Sequence, residues 1–115
     1  MEDYIYQGFA RGWMECGGMQ RVYMEKKSDG FIYCTPSCIT FPIPFEVGQG
    51  LEIQVTQKRD ICQPFPYIVP ISVINEDTYF FDIGGGGQGI PDGTTGFMYI
   101  KWKAEGTYLV NKLLQ

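Results

Sequence analysis

The chain has 115 residues and a formal charge of −4, with 44% hydrophobic and 16% aromatic residues, so we expect residues 1–115 to form one domain. The absence of histidine excludes Ser-His-Asp triads, Cys-His pairs and histidine-bearing metal sites. The acidic balance argues against nucleic acid as a partner, and no apolar stretch is long enough to insert in a membrane as a helix.

Short aromatic and β-branched segments predict strands in the first third of the chain. The turn Ser28-Asp29-Gly30 is typical of a hairpin, because glycine adopts positive φ at no steric cost. Pro42 and Pro44 each remove a ladder donor and end the last of these strands. The predicted strands cover residues 4–6, 12–16, 20–26 and 39–41.

The clearest strand pattern lies in the second half. Residues 51–56 alternate strictly between apolar and polar, so one face is buried and the other is solvated. Residues 67–74 predict a strand, residues 75–77 a turn, and residues 78–83 the returning strand of a hairpin.

Residues 97–104 predict the last strand, with Lys101 and Lys103 on its solvated face, where they are expected to pair with acids on a neighbouring strand. No segment of ten or more residues has helical periodicity, and only residues 110–114 are compatible with a short helical turn. Seven or eight short strands separated by turns predict an all-β fold, a small antiparallel β-sandwich or barrel.

A glycine-rich segment at residues 84–96 holds seven of the fifteen glycines and predicts a long loop, the usual place for function on a rigid scaffold. It lacks the phosphate-binding consensus and a strand is predicted after it, which argues against nucleotide binding. The predicted ligand contacts are Gln88, Asp92, Thr94 and Thr95 from this loop, with Tyr67 stacking on a sugar face.

Four cysteines are compatible with free thiols, disulfides or zinc. Free buried thiols are favoured, although a Cys34–Cys38 bridge across a proline turn stays open. The close pair has three intervening residues rather than the two of a zinc knuckle, so neither a metal nor a cofactor is expected. The four are Cys16, Cys34, Cys38 and Cys62.

The acids and the large aromatics each have a structural and a functional interpretation. Asp82 precedes the glycine-rich segment and Asp92 lies in it; either the first ends a strand and the second makes an Asx turn, or both accept hydrogen bonds from sugar hydroxyls. A small glycan hydrolase using such acids is the enzymatic alternative, but no pair stands out. Core positions are expected for Trp13, Trp102, Phe81 and Phe97, and solvating charges for Lys26, Lys27, Lys58 and Arg59.

The order of several motifs resembles the C-terminal domains of phage and prophage tail fibres. The opening residues 3–8 and the segment Gly12-Trp13-Met14-Glu15-Cys16-Gly17-Gly18 are similar to the start of that family. Residues 39–45 (Ile-Thr-Phe-Pro-Ile-Pro-Phe) and the closing Trp102, Ala104 and Gly106 follow in the family's order. The glycine-rich segment and residues 62–67 depart from its pattern, and no family binding residue is carried over.

The resemblance implies a β-sandwich similar to H-type lectins that forms a homotrimer at the tip of a fibre. It implies a noncatalytic receptor-binding domain, or adhesin, in the virion tail, assembled in the bacterial cytoplasm and attaching to a glycan on the host surface. A structural domain that caps and trimerises a fibre or baseplate protein, without touching a receptor, is the alternative.

Overall fold

A computed structural model describes residues 3–10, 12–46, 50–59 and 71–108. This part of the chain contains seven strands and no helix, which confirms the predicted all-β class. The strands are β1 (Tyr4–Ala10), β2 (Trp13–Lys26), β3 (Phe31–Thr40), β4 (Glu52–Arg59), β5 (Ser72–Glu76), β6 (Phe80–Gly86) and β7 (Thr95–Thr107).

All seven strands belong to one antiparallel sheet that curls nearly into a barrel. The order is β4-β7-β2-β3-β6-β5, and the two end strands β4 and β5 approach each other. The long β2 shares one edge between two partners, with β1 on residues 13–19 and β3 on residues 23–26, while β7 runs along the other edge. β1 and β3 therefore diverge around the middle of β2.

The core fills the concave side of this sheet. Its centre is an aromatic cluster in which Phe41 packs edge-on against Phe45, with ring centroids 4.8 Å apart. Phe81 packs edge-on against Trp102 at 5.5 Å and lies 5.6 Å from Phe41. All four side chains are buried, as the sequence predicted for Phe81 and Trp102. By contrast, Trp13 at the start of β2 is exposed, so its predicted core position is wrong, and Phe97 is half-buried on the outer face.

Several predicted strands are correct in position but wrong in extent. The two segments predicted at 12–16 and 20–26 form one continuous strand, because β7 pairs with β2 from Trp13 to Glu25 without interruption. The strand predicted at 39–41 begins much earlier, at Phe31, and pairs with β6. The hairpin between β5 and β6 exists, but its turn lies at residues 77–79 rather than 75–77.

The turn at residues 28–30 and the alternation in β4 are confirmed. Gly30 has a φ of 95°, the left-handed conformation that glycine adopts at no steric cost. In β4 the polar Glu52 and Gln54 are exposed while Ile53 and Val55 are half-buried. Lys103 pairs with Glu15 on the neighbouring β2 at 2.9 Å, as predicted for this face. The predictions for residues 67–70 and 110–114 lie outside the described residues.

The described cysteines are free thiols, so the Cys34–Cys38 bridge that the sequence left open is not formed. Cys16 and Cys34 are buried in the core, whereas Cys38 is exposed. Burial raises the pKa of Cys16 to about 12, with a contribution from the Glu15 charge, and raises that of Cys34 to about 11. Cys62 lies outside the described residues.

We expect the two buried thiols to make the fold sensitive to alkaline pH. Below about pH 9 both thiols are protonated in the folded and unfolded states and do not affect the pH dependence. Above it only the unfolded state releases their protons, so the free energy of unfolding falls by about 1.4 kcal/mol per pH unit for each thiol until its folded pKa is reached. Chemical denaturation between about pH 8 and about pH 10.5, a range that includes the onset, measures this slope.

The comparison that isolates the thiols is between single alanine variants. Cys16→Ala and Cys34→Ala are each expected to flatten the slope by one thiol's share. A slope equal to that of the wild type in either variant would contradict the assignment.

Candidate functional site

A groove of about 640 Å³ crosses the outer face of β3, β6 and β5. Phe31 and Tyr33 form one wall and Ile74 forms the other. These three side chains are 43–64% exposed and line one groove, and a contiguous exposed apolar patch is typical of a binding surface. The volume lies within the range of small-molecule binding clefts.

Glycines make the floor of this groove. Tyr33 pairs with Gly84 and Phe31 pairs with Gly86, so β6 itself places no side chain beside either ring. A Cβ atom on Gly84 would lie 3.1 Å from Cδ1 of Ile74, which leans across it. Ile74 thus covers the backbone at Gly84, whereas a Cβ atom on Gly86 would meet no atom within 4 Å, so a flat molecule can lie against the backbone of β6 beside Phe31.

The Tyr33 ring is held in place by two neighbours. Its hydroxyl donates a hydrogen bond to Asp29, which also accepts one from the backbone N–H of Phe31 at 3.0 Å. The hydrogen bond from Tyr33 lowers the pKa of the Asp29 carboxyl and raises that of the tyrosine. The ammonium of Lys27 lies 4.5 Å from the ring centroid, within cation–π range. The ring is thus oriented before any ligand arrives.

A polar group sits at one end of the groove. Asp82 lines the groove and accepts a hydrogen bond of 3.1 Å from the Asn75 side-chain amide. An ionised carboxylate has about four acceptor positions, so this bond leaves capacity for ligand hydroxyls. Asp82 lies within β6, so the interpretation that this residue ends a strand is wrong. Ser37 and Ser72 add hydroxyls to the lining.

The glycine-rich segment divides between strand and loop. Gly84, Gly85 and Gly86 belong to β6, while Thr95 and Gly96 begin β7, so the predicted thirteen-residue loop shrinks to residues 87–94. The pairing of β3 with Gly84–Gly86 is what extends the strand into this segment. Gly84, Gly85 and Gly86 therefore line the groove as part of a strand and not as part of a loop.

The loop itself is fastened to the end of β2. The backbone N–H of Lys26 donates to Thr94, and the N–H of Gly93 donates back to Lys26, at 2.9 and 2.8 Å. The Lys26 ammonium contacts a carboxylate oxygen of Asp92 at 2.7 Å. Lys26 is buried, and its stem lies where a Cβ on Gly87 would be. Its predicted role as a solvating charge is therefore wrong.

The predicted contact residues of the glycine-rich segment differ in their surroundings. Asp92 is bound to Lys26 rather than making an Asx turn, and the Thr94 hydroxyl donates to the backbone oxygen of Pro91 at 2.6 Å. Gln88 is exposed in the loop, and Thr95 is exposed on β7, where it pairs with Glu25. Tyr67 lies outside the described residues. Two of the five are thus engaged within the protein.

Sequence reasoning missed Phe31 and Tyr33. The signal that was available is the uninterrupted run Phe31-Ile32-Tyr33-Cys34. Successive residues of a strand face opposite sides, so only one of the two alternating sets can face the core. Ile32 and Cys34 are buried, which leaves the two rings on the outer face.

Among the described residues, no three histidine, cysteine or acidic side chains come together as metal ligands would. In the same residues, no helix has the length and apolar character needed to cross a membrane. Comparison of the chain with models of protein families, with curated proteins and with solved structures found no match.

Proposed function

We propose that this chain is a noncatalytic receptor-binding domain that recognises a bacterial-surface glycan through the groove on β3, β6 and β5. The proposal places it in the virion tail as the tip domain of a phage or prophage tail fibre, and this origin depends on the motif resemblance alone. The groove itself supports binding of a sugar independently of that origin.

The main support is the combination of exposed rings with a carboxylate over a flat floor. A sugar ring has an apolar C–H face that packs on an aromatic ring and a rim of hydroxyls that donate to carboxylates. Phe31 and Tyr33 offer the first kind of contact and Asp82 offers the second. Apolar contact with a few well-placed polar groups is typical of small-molecule sites.

An array of bacterial-surface oligosaccharides tests the proposal directly. Removal of one ring, in Phe31→Ala or Tyr33→Ala, is expected to weaken binding about threefold to tenfold, since an aromatic contact contributes roughly 0.5–1.5 kcal/mol beyond burial. Asp82→Asn is expected to weaken it about tenfold to a hundredfold, since charged hydrogen bonds contribute roughly 1.5–3 kcal/mol.

The matched control is Tyr79→Ala, which truncates a tyrosine that is 56% exposed in the turn between β5 and β6, outside the groove lining. Its binding is expected to equal that of the wild type. If the Phe31 and Asp82 variants bind glycans as well as the Tyr79 variant does, the groove is not the site. A second control, Gln88→Ala, tests whether the loop takes part.

A further inference from the structure

The groove on β3, β6 and β5 carries a negative charge. Among the residues that the structure describes, its polar side chains are the Asp82 carboxylate and the hydroxyls of Ser37 and Ser72, and it contains no lysine or arginine. A carboxylate accepts hydrogen bonds and donates none, so a group that binds beside it must bring a donor. An acidic sugar would place a second carboxylate there and be repelled, whereas an ammonium would bring both donors and attraction.

The charges at the aromatic wall do not reverse this sign. Lys27 lies against the Tyr33 ring, and the hydroxyl of the same ring donates to Asp29, so one cation and one anion accompany it. Neither of these two charged side chains belongs to the groove lining. The chain as a whole carries a formal charge of −4, which adds to the attraction of a cationic ligand. A ligand in the groove therefore meets the charge of Asp82.

Exposed aromatic rings attract an ammonium as well as the C–H face of a sugar, because the faces of the rings carry partial negative charge. Two rings of this protein already contact a cation. The Lys27 ammonium lies 4.5 Å from the centroid of Tyr33, and the Arg21 guanidinium lies 4.0 Å from that of Phe97. Phe31 is 58% exposed and offers the same kind of surface to a ligand. The aromatic wall is thus compatible with a positively charged sugar.

The carboxylate and the Phe31 ring are too far apart for one sugar ring to contact both. Asp82, Gly84 and Gly86 lie on the same face of β6, because alternate residues of a strand share a face. Phe31 pairs with Gly86, and the strand rises by about 13 Å between Asp82 and Gly86. Ile74 covers the backbone between them, at Gly84. A ligand that reaches both ends therefore contains more than one sugar ring.

We propose that the groove selects an oligosaccharide of at least two rings that carries a free ammonium, with the amino-sugar ring at Asp82 and another ring beside Phe31. This inference rests on the proposed function and names the class of glycan that the groove takes. The ammonium donates charge-assisted hydrogen bonds to the carboxylate, which keeps acceptor positions besides the one that Asn75 occupies. Neutral oligosaccharides bind more weakly, through hydroxyls alone, and those of uronic acids more weakly still.

The test compares matched oligosaccharides by isothermal titration calorimetry with the full chain, at about pH 6, where an amine of this kind is protonated. The probes are tetramers of glucosamine, glucose and glucuronic acid with the same linkage, together with single glucosamine. We expect the glucosamine tetramer to bind at least about tenfold more tightly than the glucose tetramer and than single glucosamine. The glucuronic acid tetramer is expected to bind at least about tenfold more weakly than the glucose tetramer.

Two variants show whether the preference comes from this carboxylate. Asp82→Asn keeps the shape of the side chain and removes its charge, so the preference for the glucosamine over the glucose tetramer is expected to fall to about threefold or less. Asp77→Asn removes the same charge from the exposed turn between β5 and β6, outside the groove lining, and is expected to keep the preference. Circular dichroism verifies that both variants fold.

Several outcomes would overturn the inference. A preference that survives Asp82→Asn would come from the overall negative charge of the chain and not from the groove. Equal binding of the glucuronic acid and glucose tetramers, or of single glucosamine and its tetramer, would contradict the charge selection or the two-ring length.

The same measurements separate this inference from the proposed function. If a neutral glycan binds and Phe31→Ala weakens that binding, while the glucosamine tetramer binds no better, the groove is a sugar site and the selection for an ammonium is wrong. If the glucosamine tetramer does not bind and no glycan on the array binds, the proposed function is wrong as well.

Discussion

Replacement of Phe81 by alanine is expected to lower the free energy of unfolding by about 3–5 kcal/mol. The ring is fully buried and contacts two other aromatic rings, those of Phe41 and Trp102. Truncation removes the burial of the ring and leaves a cavity that a close-packed aromatic cluster fills poorly. Since the free energy of unfolding of a small domain is only about 5–15 kcal/mol, this one substitution removes a large share of it. Urea denaturation followed by tryptophan fluorescence measures the loss.

Two further variants make the comparison specific to the core. Tyr79→Ala removes a similar ring, next to the start of the same strand, that is 56% exposed, and is expected to cost less than about 1 kcal/mol. Phe81→Leu keeps most of the volume and is expected to cost about 1.5 kcal/mol or less. If Phe81→Ala costs no more than Tyr79→Ala, the aromatic cluster does not stabilise the fold.

Replacement of Gly18 by alanine is expected to separate β1 from β2. A Cβ at this position would collide with the carbonyl oxygen of Tyr4 and lie 3.3 Å from the indole nitrogen of Trp102. The carbonyl oxygen belongs to the backbone of β1, and the Trp102 ring is buried in the core. The collision is therefore relieved by a displacement of β1, at a cost of about 1–3 kcal/mol. Hydrogen exchange is the sensitive measurement, because the N–H groups of Tyr6 and Gly8 depend on pairing with β2.

Gly8→Ala is the matched control, since Gly8 lies on β1 itself and a Cβ there meets no atom within 4 Å. We expect its amides on β1 to exchange as slowly as those of the wild type. Equal exchange in the two alanine variants would show that the close approach at Gly18 does not hold β1 in place.

Local patterns in the sequence were sufficient to predict the class of fold. Alternation at residues 51–56 and the glycine turn at residues 28–30 are properties of neighbouring residues, and the structure confirms both. The extent of the strands was not predicted, because it depends on partners far away in the chain. β2 reads as two short strands, yet β7 pairs with all of it.

In the candidate site, too, the sequence predicted some features and contacts between distant residues decided others. Asp82 was singled out from the sequence as an acid next to the glycine-rich segment, and it lines the groove. Asp92 was singled out for the same reason, but the buried Lys26 holds it. Nothing in the order of residues distinguishes these two acids, because Lys26 is 66 residues away from Asp92.

The sequence by itself determined that this protein is a small antiparallel β domain, with most of the large aromatics among the described residues in strands. Only the tertiary structure decided which aromatics are buried and which are displayed. Phe81 and Tyr33 are both aromatic residues within paired strands, but register places one in the core and the other beside Gly84 on the outer face. Strand register is set by contacts between distant segments, and a shift of one residue exchanges the two faces, so no local pattern fixes it.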